Sequence, residues 1–171
     1  MAKIKLIEFK EIDSTNDYLK KHYETLPAFT VVRTDYQKKG RGQFERRWHS
    51  ARGRNVLCSL LLKDVPLKQI IPIKEWIKSS IFQTLGSYGL DCYFKEPNDV
   101  YVDDKKICGI LIETKGSGKK FDYVIIGIGL NVNQVFFTGY KATSLHLLNK
   151  KTYPVRSVFS KLVANLLENY F

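Results

Sequence analysis

Between residues 92 and 131 the chain places four β-rich segments in succession, at 92–95, 100–102, 107–113 and 123–131. Polar turns separate them, among them Asp103-Asp104 and the stretch 115–119, and strands joined so tightly pair with their neighbours as an antiparallel meander. Such a sheet needs an apolar cover. Residues 55–63, NVLCSLLLK, read as a further buried strand. Residues 67–88 repeat apolar side chains at helical spacing, with Pro66 placed to open a helix and Gly89 to end it. That helix is the expected main cover of the core.

The flanks complete the pattern. Residues 3–9 alternate like a strand, and Asp13-Ser14-Thr15-Asn16 offers several N-caps for a short helix reaching about Tyr23. Residues 29–33 read as a strand, and residues 155–171 set Val155, Val158, Phe159, Leu162, Val163, Leu166 and Leu167 on an amphipathic helix. No internal repeat, low-complexity tract or linker divides the chain. The expectation is one α+β domain over residues 1–171, a mixed or antiparallel sheet with helices packed on one face.

A chain of 171 residues can bury a core without disulfide or metal staples. Cys58, Cys92 and Cys108 are odd in number and widely spaced, which reads as reduced, buried thiols, with Cys108 a small apolar residue and not a reactive one. His22, His49 and His146 are scattered, and neither CxxC nor HxH occurs, so a zinc site is not expected. No apolar run approaches the roughly 18 residues that span a membrane, and the first 17 residues hold no signal-peptide stretch. A soluble, cytoplasmic protein is expected. Net charge of +11 implies an anionic partner without naming it.

Much of that charge lies in QKKGRGQFERRWHSARGRN, residues 37–55, where seven basic residues and one acidic residue, Glu45, fall between Lys38 and Arg54. The segment has neither hydrophobic period and reads as a long, mobile loop. Gly40-Arg41-Gly42 does not extend to G-x-G-x-x-G, because Glu45 stands at the third glycine position, and no G-K-[ST] follows. Gly127-Ile128-Gly129 fails likewise at Val132, and its plain reading is close packing at a strand end.

A second cluster is Lys95-Glu96-Pro97-Asn98-Asp99, followed by Tyr101, Lys105, Lys106 and Gly109. Pro97 fixes the backbone ahead of an amide and a carboxylate, which presents two polar side chains from a rigid turn; an ordinary turn reads the same way. Lys106 returns one hairpin later in apolar surroundings, where a lysine calls for an acidic or anionic partner.

Ser14-Thr15-Asn16, Gln37-x-x-Gly40-Arg41-Gly42 with Trp48, Lys95-x-Pro97-Asn98-Asp99, Lys106-Ile-Cys-Gly109-Ile-Leu-Ile-Glu113 and Gly127-x-Gly129-x-Asn131 together resemble the catalytic domain of biotin–protein ligases. Order and separations match from about Ile7 to the final helix. The resemblance implies the class II aminoacyl-tRNA-synthetase-like biotin/lipoate ligase fold. It also implies an ATP-dependent enzyme that joins biotin and ATP, with Mg²⁺, into biotinyl-adenylate and transfers biotin to a lysine of a carboxylase's biotin carboxyl carrier domain.

Residue roles follow from the same resemblance. Ser14, Thr15 and Gln37 would hydrogen-bond the biotin rings with Asn16 beside them, and Gly40, Gly109 and Gly127 would approach biotin through backbone. Arg41 and Lys106, the catalytic candidates, would meet the carboxylate or the adenylate phosphate. Arg46 and Lys95 would hold ATP phosphates, Asn98 and Asn131 would line the nucleotide side, and Asp99 would help hold Mg²⁺. Trp48 would pack on the nucleotide, on the ordered loop, or simply in the core. Physically, condensing a carboxylate with a triphosphate brings two anions together, so positive charge must close over them. A pliable Gly/Arg loop that orders over the intermediate also keeps water from the mixed anhydride. Neither specific DNA binding nor membrane attachment is implied, and a homodimer is compatible with the resemblance.

Three departures stand out. Gln43 occupies the position where the family's loop usually carries its second arginine, and Glu96 replaces the tryptophan usually found before Pro-Asn-Asp. Within residues 1–171 neither the N-terminal helix-turn-helix of repressor-type members nor the small C-terminal β-barrel is expected. Alternatives remain at this level: a lipoate–protein ligase, a basic nucleic-acid-binding module whose Gly/Arg loop tracks phosphates, or a biotin-binding paralogue with weak turnover.

Overall fold

In chain order the elements are β1 (Lys5–Phe9), α1 (Thr15–His22), β2 (Thr30–Thr34), β3 (Asn55–Pro66), a 3-10 turn (Leu67–Gln69), α2 (Ile70–Gly86), β4 (Tyr93–Lys95), β5 (Asp99–Val102), β6 (Lys105–Ser117), β7 (Lys120–Asn131), α3 (Leu145–Asn149) and α4 (Val155–Glu168). They are seen in a computed structural model that describes residues 3–170. Phe171, the last residue of the expected final helix, lies outside the described residues.

The strands form one seven-stranded sheet in the order β1-β2-β3-β7-β6-β5-β4. The meander from β4 to β7 is antiparallel as expected, β7 closes antiparallel on β3, and β1 alone pairs in parallel, with β2. The β6–β7 hairpin is longer than its sequence suggested. Both strands run into the expected 115–119 turn, which shrinks to Gly118-Lys119 with Gly118 at φ +70°.

Alternation along the two longest strands decides the layers. Val56, Cys58, Leu60 and Leu62 of β3 join Val124, Ile126, Ile128 and Leu130 of β7 in a core closed by α2 and α4. Trp76 Nε1 donates to the Leu166 carbonyl at 2.9 Å and locks those two helices together. The intervening residues Leu61 and Ile125 point to the other face, where Leu19 of α1 packs on them. The expectation of one helical face therefore holds for the two long helices, while α1 lies on the opposite face. Because α1 has only eight residues, it covers only part of that face. The remainder is the site described next.

Local signals explain most element ends. Ser14 caps α1, its Oγ accepting from Asp17 N–H at 3.2 Å. Pro66 opens the 3-10 turn and not the α-helix itself, and Gly89, at φ +79°, follows the end of α2. The five-residue α3, capped by Ser144, was not read from sequence, being too short to show a period. Among the described residues no helix is long and apolar enough to cross a membrane.

Candidate active site

On the face that α1 leaves open, register sets Gly109 of β6 opposite Gly129 of β7 and Leu111 opposite Gly127, with Leu57 and Ser59 of β3 completing the rows. Three glycines on one face of adjacent strands leave bare backbone, and a cavity of about 520 Å³ opens above it. Trp48, carried in by the basic loop, lies over Gly109 and Gly129: a Cβ would stand 2.8 Å from its Cζ3 at the first and 2.6 Å from its Cε2 at the second. Asn16 lies over Gly127, where a Cβ would stand 2.5 Å from its Oδ1. The plain reading of the glycine pair, close packing, is thus correct, and what packs there is the cavity's own wall.

Lys106 reaches this face because of a β-bulge. Val100 pairs with Cys108 and Tyr101 with Lys106, so Ile107 is the extra residue on β6. Ile107 and Cys108 both turn into the core, and Lys106 swings to the side of Gly109, its Nζ 3.4 Å from where a Gly109 Cβ would be. Its ammonium meets Asp99 Oδ1 at 2.7 Å and sits 5.3 Å from the centre of the Trp48 ring. Asp99 is the register partner of Gly109, and Asn98 is pinned beside it, its Nδ2 donating to the Ile110 carbonyl at 2.9 Å.

The next row of the same face, at Gly127 and Ser59, carries a neutral polar cluster. Gln37 Oε1 accepts from Thr15 N–H at 2.9 Å and from Thr15 Oγ1 at 3.1 Å, and Thr15 Oγ1 meets Ser59 Oγ at 2.7 Å. Ser59 Oγ also meets Asn16 Oδ1. Two hydroxyl hydrogens serve three oxygen–oxygen contacts, so the cluster accepts a further donor hydrogen. Gln37 lines the cavity, and its Nε2, 3.1 Å from where a Gly40 Cβ would be, has no protein partner among the described residues. Ser14, Thr15, Asn16 and Gln37 are thus brought together, although Asn16 is occupied in bracing: its Nδ2 donates to Glu113 Oε2 at 2.9 Å.

Within the basic loop the chain folds back on itself. Arg41 and Arg47 form an antiparallel bridge, Gly42 N–H donates to the Arg46 carbonyl at 2.7 Å, and Phe44 and Glu45 turn the chain with φ of 53° and 60°. The resulting finger roofs the cavity. Arg41 does line the cavity, but its guanidinium is engaged by Asp17 Oδ1 at 2.7 Å and by Glu113. Burial alone would lower the Arg41 pKa, yet these carboxylates raise it above its ordinary value. Arg46 and Arg47 also line the cavity and have no acidic partner among the described residues. Uncompensated positive charge therefore resides with them. Gln43 lines the same wall without charge.

Three residues expected at the site stand elsewhere. Lys95 is exposed on the edge strand β4 with its ammonium 4.6 Å from the Tyr101 ring centre, outside the cavity, because a three-residue strand leaves its side chain nothing to cover. Gly40 lies behind the roof, where a Cβ would be 2.5 Å from the Trp48 carbonyl. Asn131 is fully buried at the end of β7 beyond the cavity lining, and neither polar atom of its amide has a partner. Glu96 is exposed and water screens it. Sequence reading assigned no role to Glu113, Asp17 or Ser59, and gave Arg47 only that of a neighbouring charge offsetting the one missing at Gln43. The one available signal was Glu113, an acid closing the apolar run Ile-Leu-Ile.

The residues present do not fit a resident metal. The Asp99 carboxylate is taken by Lys106, and no group of three or more His, Cys, Asp or Glu side chains converges among the described residues. Asp99 lines the cavity with its carboxylate held against Lys106.

A glycine-floored sheet face, a bulge-directed lysine and a Gly/Arg finger define a class that comparison with known proteins identifies. The sequence profile of the biotin/lipoate A/B protein ligase family matches residues 8–131, and the chain belongs to that family. Among individual relatives, it is 32% identical over 163 residues to biotin–protein ligase 1, chloroplastic, of Arabidopsis thaliana, covering 91% of this chain and 43% of that protein. It is 38% identical over 110 residues to the bifunctional ligase/repressor BirA of Bacillus subtilis, covering 63% of this chain and 34% of that protein. The chain thus spans about a third to under half the length of these relatives. Its structure superposes on the biotin protein ligase of Aquifex aeolicus in complex with biotin and ATP with a TM-score of 0.82 at 32% identity, over 96% of this chain and 69% of the other. The Leishmania major biotin protein ligase in complex with biotinyl-5-AMP gives a TM-score of 0.74 at 27% identity, over 95% of this chain and 72% of that one.

Proposed function

We propose that this chain is the catalytic module of an ATP-dependent biotin–protein ligase. The observation that carries the reading is the placement of Lys106 on the glycine strip, beside Trp48 and one row along the strip from the Thr15–Gln37 cluster. A ligand with a neutral hydrogen-bonding head and an acidic tail fits that polarity. Biotin has both: a ureido ring for Thr15, Gln37 and the Ser14 hydroxyl, and a carboxylate for Lys106.

In the first step the biotin carboxylate oxygen attacks the α-phosphorus of ATP, the bond to the bridging oxygen breaks, and pyrophosphate leaves with its electron pair. Lys106 neutralises charge on both reacting acids, and Arg46 and Arg47 attract the departing phosphates. Arg41, held by Asp17 and Glu113, positions the finger and does not grip phosphate. In the second step the neutral amine of an acceptor lysine attacks the acyl carbon; AMP leaves, and the amine proton passes to solvent or the departing phosphate. The closed finger excludes water from the adenylate between the steps. The orphaned amide of Asn131 offers a donor and an acceptor to the nucleotide base once the end of β7 is engaged. Mg²⁺ enters as a counter-ion of ATP, coordinated by phosphate oxygens. The acceptor is a biotin carboxyl carrier domain, and the cytoplasm supplies all three substrates.

Incubation with biotin, MgATP and a carrier domain, followed by intact-mass analysis, tests the proposal. The carrier should gain one biotin, and Lys106→Ala should slow the gain by about 10²–10³, as loss of one transition-state donor does. No mass gain by the parent chain, or full activity of Lys106→Ala, would refute it. Replacing biotin by lipoate in the same assay should give no product.

A further inference from the structure

We propose that Glu113 is a positioning residue that clamps the roof of the cavity to its floor, by holding Arg41 of the basic finger and Asn16 and Lys20 of α1 onto β6.

Three donors from two distant segments converge on this one carboxylate. Oε2 accepts from Arg41 Nη2 and from Asn16 Nδ2 at 2.9 Å, and Oε1 accepts from Lys20 Nζ at 3.0 Å. Asp17, the remaining acid, closes the far side of Arg41. The cluster therefore balances two cations against two anions, a composition suited to holding parts together and not to capturing a further anion.

Its position says what is held. Glu113 pairs with Ile125 at the centre of the sheet, next to the row that carries Gly127 and Ser59, and its side chain is only 20% exposed. Burial by itself would raise its pKa, but the hydrogen bonds from Arg41, Asn16 and Lys20 outweigh burial and hold it below the ordinary value. Through Asn16 the carboxylate fixes the side chain that lies on Gly127 and meets Ser59. Through Arg41 it fixes the finger that lays Trp48 on Gly109 and Gly129. Glu113 itself does not line the cavity, so it acts through these neighbours.

The test uses Glu113→Gln, which keeps the shape and removes the charge. In the ligand-free protein, amide hydrogen exchange is read at Gly42 and Trp48, whose N–H groups close the finger onto the Arg46 and Gly40 carbonyls. Exchange there should quicken about tenfold after correction for intrinsic rates, with α4 unchanged, as expected for loss of charge-assisted bonds on a locally opening segment. The kinetic arm rests on the ligase reading above: KM for biotin should rise about tenfold with kcat within about threefold, and Glu113→Asp should recover part of the loss. Unchanged exchange at both amides overturns the proposal. So does a collapse of kcat at unchanged KM, which would make Glu113 a catalytic group. Should Glu113→Gln fail to fold, Arg41→Gln breaks the same bond from the surface loop, and a finger as protected as in the parent overturns the clamp. Should the parent chain show no biotinylation, the exchange arm decides alone: faster exchange in both variants upholds the clamp whatever the ligand.

Discussion

Gly129→Ala places a methyl group where the structure has the Trp48 indole. The new Cβ would stand 2.6 Å from Cε2 and 2.7 Å from Cζ2. Ordinary carbon contacts lie near 3.5–4.0 Å, so one partner must retreat by about 1 Å. The backbone cannot, because Gly129 pairs with Leu57 on one side and Gly109 on the other. Trp48 must yield, and with it the finger. Overpacking of this kind costs about 1–3 kcal/mol, a factor of about 5–150 in an equilibrium, which here is the closing of the finger over the cavity. Biotin affinity measured by isothermal titration should fall by about that factor. The melting temperature should barely move, since the clash is relieved by opening a surface segment and not by breaking the sheet. Trp76 is the chain's other tryptophan and is 5% exposed, so a rise in acrylamide quenching reports on Trp48. Parent-like quenching together with parent-like affinity would show that Trp48 does not rest on Gly129, and the account of the glycine strip would fail with it.

Asp99→Asn separates a lysine partner from a metal ligand: the biotinylation rate should fall while the Mg²⁺ concentration for half-maximal activity stays at the parent value. A shifted Mg²⁺ requirement would restore Asp99 as a ligand. Asn131→Ala should weaken ATP more than biotin in titrations and change stability by less than about 1 kcal/mol, because lost packing is offset by removing an unpaired buried amide. Since the Glu113 pKa is depressed in the folded state, its clamp is intact above the ordinary carboxylate range and is lost as pH falls through the depressed value. Protection of the finger, corrected for intrinsic exchange, should drop on that acid limb in the parent and stay flat in Glu113→Gln. Burial pushes the Cys92 thiol up to about 11 and that of Cys58 to about 12, and raises Cys108 further. A thiol reagent at neutral pH should therefore leave Cys58 and Cys108 unlabelled until the protein unfolds, as mass mapping would show.

The strands and the two long helices were legible because their signals are local. Alternation and apolar runs marked every strand, and Ser14 and Gly89 marked a helix start and a helix end. Ser14, Thr15, Gln37, Arg46, Trp48, Asn98, Asp99, Lys106, Gly109 and Gly127, named from motifs scattered over more than a hundred residues, all line one cavity. What escaped is set by contacts no local pattern contains. The engagement of Arg41 by Asp17 and Glu113 joins three segments. The exclusion of Lys95 follows from a short edge strand.

Sequence alone determined the strands and the longer helices, because residue type and spacing act within a few neighbours; that the cationic, glycine-rich and amide-bearing motifs belong to one chemistry came from their resemblance to one family. Only the tertiary structure decided which face each side chain takes. Lys106 and Gly109 are three residues apart, so strict alternation would put them on opposite sides of the sheet; the bulge at Ile107 brings them onto one. Pairing register between distant strands sets the glycine strip, and the charges that converge on it decide which arginine is free to meet an anion.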